Sequence, residues 1–76
     1  MNLDARFHIQ SKQPTAQQWA LIRSGMQKLC DHDGFEAVAA MKHDQLAERL
    51  SWAGNVHTRV EHAVAARNHL MQRANV

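Results

Sequence analysis

Apolar and polar residues change their spacing along this chain. At the start, Leu3, Ala5, Phe7 and Ile9 alternate with Asn2, Asp4, Arg6, His8 and Gln10. Period two is the mark of a half-buried strand. A lone strand leaves its backbone groups unpaired. Residues 1–10 are therefore expected to pair with a second copy, to add to another protein's sheet edge, or to stay a loosely attached arm. Ser11 to Pro14 reads as a linker.

The spacing then changes to three and four. Trp19, Ile22, Met26 and Leu29 fall on one face of a helix predicted over 15–31. Thr15 with Gln18 three residues on makes a capping box at its start. Gly25 suits close approach of a neighbour. The run Asp31-His32-Asp33-Gly34 reads as a turn, with Asp33 capping the next helix and Glu36 completing a second capping box. So short a connection predicts an αα-hairpin.

Helix two is predicted over 35–73. Leu46, Ala53, Val60, Val64 and Met71 keep one helical phase, flanked by Met41, Trp52, Ala63 and Leu70. Gly54-Asn55 interrupts this stretch. Glycine is preferred just past a helix end and asparagine as an N-cap. A break there gives three helices, 15–31, 35–53 and 56–73, as a bundle. Preserved phase argues instead for one helix of ~58 Å at about 1.5 Å per residue. Its distal apolar face would then need a partner, and a homodimer is the expected solution. The continuous helix is the preferred expectation. The fold class is mainly α in both cases, with a short N-terminal strand or arm.

Composition narrows this picture. A chain of 76 residues supports a single domain, 1–76, near the size where one core is marginal. One cysteine excludes an internal disulfide framework, and no secretory or membrane-spanning stretch is visible. The expected location is the cytoplasm, with no membrane partner. Net charge is +2, and the basic residues are scattered rather than clustered.

No nucleophile elbow, phosphate-binding glycine loop, paired-cysteine zinc signature or HExxH motif occurs. Cys30 to Asp33, His57 with Glu61, and His62 with His69 bring together metal-capable side chains. None has zinc-site spacing. The chain is read as non-catalytic, with no cofactor and no metal. It is expected to bind another protein or a protein–nucleic-acid complex and to block or modulate it, as accessory and inhibitor proteins of phages and mobile elements do. The predicted contact residues are Trp52, Val56, Arg59, Val60, Arg67, Leu70, Met71 and Arg73.

DNA is the alternative partner. The order strand, helix, tight turn, helix resembles the ribbon-helix-helix repressors over roughly the first two-thirds of the chain. That resemblance implies a strand-paired dimer reading the major groove through Arg6, His8 and Gln10. A helix-turn-helix within residues 43–64, with Asn55, Thr58 and Arg59 facing DNA, is a second layout.

Overall fold

The computed structural model describes residues 7–74. Its elements in chain order are β1 (Phe7–Ile9), α1 (Ala16–Asp33), α2 (Phe35–Ala40), α3 (His43–Ala53), β2 (Val56–Thr58) and α4 (Val60–Ala74). The molecule is thus mainly helical with a short N-terminal strand. Leu3, Ala5 and Arg6 lie outside the described residues.

Local chemistry starts α1. The Gln18 amide donates to Thr15 Oγ1 at 3.1 Å, and the Thr15 amide donates to Gln18 Oε1 at 2.8 Å. Two donors that the first turn leaves unpaired are satisfied together. Ile22, Met26 and Leu29 are fully buried along the inner face. The helix runs two residues beyond the predicted end. Gly34 stops it at φ 96°, a conformation that favours glycine, and its N–H donates to Cys30 O at 2.9 Å. Asp33 therefore closes α1 instead of capping α2, and no side-chain cap forms at the start of α2.

The predicted second helix is broken twice. Its first interruption is at Met41-Lys42, where nothing local signals a stop. Met41 turns extended (φ −64°, ψ 141°). The reason lies in α4, from which the buried Arg67 guanidinium reaches across. Its Nη1 donates to Met41 O at 2.6 Å and, more weakly, to Val38 O at 3.4 Å. A charged donor satisfies carbonyls that the ended helix leaves open.

The second interruption is at Gly54-Asn55. Gly54 is still helical (φ −88°, ψ −10°), and its N–H donates to Leu50 O at 2.9 Å. Asn55 takes the positive φ, 62°. Asparagine tolerates that conformation better than most residues. Gly54 serves a different need, because α1 crosses here. A Cβ on Gly54 would lie 2.5 Å from Gly25 O, and one on Gly25 would lie 3.0 Å from Gly54 O. The two glycines let two backbones touch.

The three residues after Asn55 form β2, which pairs in parallel with β1: Phe7 with Val56, His8 with His57, Ile9 with Thr58. The N-terminal strand thus finds a partner within its own chain, in a segment expected to be helical. Ile9, Val56 and Thr58 are buried, while His8 and His57 stand exposed on the other face, their rings 5.2 Å apart.

Of the two architectures weighed from the pattern, the broken one forms, and the helix over 35–73 does not. Three principal helices, α1, α3 and α4, pack on one another, with α2 and the sheet completing the enclosure. The core joins Ile9, Ile22, Met26, Leu29, Cys30, Val38, Leu46, Leu50, Val56, Ala63 and Ala66. The phase running through Leu46, Ala53 and Val60 is a coincidence of spacing. Once β2 intervenes, α4 is free to rotate, and it buries His62, Ala63, Ala66 and Arg67 while Val60 is 41% exposed.

Candidate binding surface

The eight residues predicted as one contact surface separate into four groups. Val56 is core, because β2 turns it inward. Arg67 is 8% exposed and spent on the α2 carbonyls, so it is a structural cation. Leu70 and Met71 are half-buried against the core, and Arg73 is exposed beside Leu70. Trp52, Arg59 and Val60 remain together, around one open hollow of about 520 Å³.

That hollow lies between α3 and the ends of the two strands. Ala47, Glu48, Ser51 and Trp52 form one side, and His57 to Val60 with Gln10 form the other. Trp52 is 65% exposed. An α3 that must bury Leu46 and Leu50 turns position 52 outward, since 100° per residue places it away from both. Val60 begins α4 at the mouth. Arg59 is anchored by its Nε donating to Glu61 Oε1 at 2.7 Å, so its charge is largely balanced locally. Thr58 lines the same hollow with its side chain almost wholly buried, and its Oγ1 has no partner among the described residues.

Gln10 and Thr58 were not assigned to this surface from the pattern. A signal was present in Val56, Thr58 and Val60, β-branched residues at period two, which is a strand spacing. The helix-turn-helix layout fails geometrically at the same point. Six residues, three of them the strand β2, separate α3 from α4, where that motif has a turn of about 3–4. Thr58 faces inward, and Arg59 is paired. In the strand layout, His8 and Gln10 are exposed and Arg6 lies outside the described residues.

The other clusters resolve into structural roles. Asp33 joins the end of α1 to α3. Arg49 Nε donates to Asp33 Oδ2 at 2.9 Å and Nη2 to Oδ1 at 2.7 Å, with His32 Nδ1 2.6 Å from Oδ1. These hydrogen bonds, from Arg49 first and His32 second, lower the Asp33 pKa from 3.8 to about 2. Cys30 is buried, and burial followed by the nearby Asp31 charge pushes its thiol pKa up, away from nucleophilic character. His62 holds the linker: its Nε2 is 3.0 Å from Lys12 O, so it donates there, and its ring meets Trp19 edge-on at 5.4 Å. Among the described residues no three His, Cys, Asp or Glu side chains converge to hold a metal ion. Nor is any helix among them long and apolar enough to cross a membrane.

No protein-family model, curated protein or solved structure matches the chain.

Proposed function

We propose that the protein is a small non-catalytic binding module that docks on another macromolecule through the Trp52 surface, blocking or modulating it as accessory and inhibitor proteins do. The observation carrying this reading is the placement of Trp52. A tryptophan side chain offers about 150–250 Å², so 65% exposure leaves roughly 100–160 Å² for a partner. Covering it is worth about 2–4 kcal/mol at about 25 cal/mol per Å². Val60 extends the apolar contact, and Gln10, Glu48 and Arg59 supply a polar rim, the usual anatomy of a binding hot spot. The partner is a protein or protein–nucleic-acid complex, and a second copy of this chain is the simplest protein that fits.

Two measurements test the proposal. Sedimentation at rising concentration reads self-association, and capture from the cell of origin reads other partners. Trp52→Ala should weaken either by about 30-fold or more, the effect of losing a hot spot of about 2 kcal/mol. Its thermal melt should stay unchanged, because the side chain stands outside the core. Equal association by the variant would refute the proposal. The alternative reading, a DNA-binding regulator, is favoured by the exposure of His8 and Gln10 on and beside β1. Retention of duplex DNA at low salt that is lost in Arg6→Ala would support it.

A further inference from the structure

A second surface runs along the contact between α1 and α4. Three adjoining hollows of about 280, 220 and 440 Å³ share their lining residues and form one furrow. Arg23 and His69 line the first two, and Leu70 and Arg73 the last two. Trp19 stands at one end and Phe35 at the other. Among the described residues no acidic side chain lines it. Arg23 and Arg73 have no hydrogen-bond or ion partner among the described residues, whereas Arg49 and Arg59 pair with carboxylates and Arg67 donates to backbone carbonyls. Asp31, one turn beyond Gln27 on α1, accepts a hydrogen bond from the Gln27 amide at 3.0 Å. The two uncompensated arginines are thus concentrated in one concave strip with an aromatic ring at each end.

We propose that this furrow binds a short single strand of nucleic acid, with phosphates on Arg23 and Arg73 and bases against Trp19 and Phe35. Three features favour this ligand. The walls are two helices, whose backbones are already hydrogen-bonded internally. An extended acidic peptide would find no strand edge for its own N–H and C=O groups. A nucleotide chain has no such need. Its phosphates want guanidinium groups and its bases want flat rings, and the furrow offers both. Its length also fits: Trp19 to Asp33, just short of Phe35, spans about 21 Å of α1, room for about six stacked nucleotides at about 3.4 Å each. The proposal uses a different surface from the Trp52 hollow and does not depend on it.

The test is binding of oligothymidylate and oligouridylate of about eight nucleotides by the full chain carrying Trp52→Phe. Trp19 is then the sole tryptophan. Binding should quench its fluorescence. With two phosphates neutralised, log K should fall with log salt at a slope of about −1.4, or about 25-fold between about 20 and 200 mM. Arg23→Gln with Arg73→Gln should abolish both the binding and its salt dependence. The salt slope of the chain with native arginines gives a readout that needs no furrow variant to fold. A preference for either oligomer supports the proposal, and oligodeoxyuridylate, which differs from oligouridylate in the sugar alone, identifies the sugar. Absence of binding at about 20 mM salt would overturn it. So would unchanged binding by the double variant, or equal or tighter binding of polyglutamate or of duplex DNA.

Discussion

Gly54→Ala sets local propensity directly against tertiary contact. Gly54 has helical dihedrals at the end of α3. On local grounds alanine should stabilise it by about 0.4–1 kcal/mol, through helix propensity and a less flexible unfolded chain. The surroundings forbid this. The new Cβ would sit 2.5 Å from Gly25 O, 2.9 Å from Gly25 C and 2.7 Å from Leu50 Cδ1. Leu50 can change rotamer, but the Gly25 carbonyl is backbone in mid-helix and cannot yield alone. Ordinary contact needs about 3.4 Å, so α1 must retreat by nearly 1 Å. That retreat would loosen the packing of Ile22, Met26 and Leu29, which are fully buried. Overpacking of this kind costs about 1–3 kcal/mol and exceeds the local gain. Net of that gain the loss is at most about 2.6 kcal/mol, so at about 4–8 °C per kcal/mol for a domain of this size the melting temperature should fall by up to about 20 °C. Thermal unfolding followed by far-ultraviolet circular dichroism measures it. A rise in melting temperature with more helical signal would refute the reasoning, because it would mean that alanine joins α3 to α4 and the crossing gives way. Gly25→Ala is the control. Its Cβ meets Val56 Cγ2 at 2.9 Å and Gly54 O at 3.0 Å, a milder clash opposed by a mid-helix gain of about 1 kcal/mol. Its loss should therefore be the smaller of the two.

Further outcomes follow from other contacts. Arg67→Ala removes the charged donor to Met41 O, a half-buried carbonyl, so stability should drop by about 1.5–3 kcal/mol in denaturant titration. The Asp33 pKa is lowered from 3.8 to about 2, so its contribution is fully present above about 4 and is lost as pH falls through about 2. Melting temperature followed over that window should decline, and Arg49→Ala should flatten Asp33's share of the decline. Thr58→Val replaces a buried, unpartnered hydroxyl with a methyl of similar volume, and should raise stability by about 1–3 kcal/mol. A fall would show that Oγ1 is satisfied in solution.

What the pattern revealed and what it hid divide along one physical line. The start of α1 was legible because Thr15, Gln18 and the face Trp19-Ile22-Met26-Leu29 depend on neighbours three and four residues away. The strand at Phe7–Ile9 was legible as alternation, but its partner was not, because pairing is made across the fold. The stop at Met41 depends on Arg67, and the touching backbones at Gly54 depend on Gly25. The first has no local sign, and in the second Gly25 signals a close approach without naming Gly54 as the neighbour. Heptad spacing of Leu46, Ala53 and Val60 pointed the wrong way, because periodicity cannot report an inserted strand that lets the next helix rotate. Of the residues expected at a contact surface, Trp52 and Val60 stand exposed around one hollow, whereas Val56 and Arg67 are drawn inward by contacts that spacing does not encode.

The parallel pairing of β1 with β2 also constrains the order of assembly. More than forty residues separate Ile9 from Val56, and α1, α2 and α3 must all be traversed before the strands can meet. Closing such a loop from an open chain costs about 3 kcal/mol in entropy. Three residues per strand repay little of that by themselves. The helices, whose contacts are nearer in sequence, should therefore gather first and bring residues 56–58 into place, with β1 added last. On the ribosome this strand emerges before β2 and must wait through synthesis of the more than forty residues between them for its partner. During that wait its alternating apolar edge is open to any other strand, so the rate at which β2 emerges sets the interval in which this chain is most exposed to mispairing.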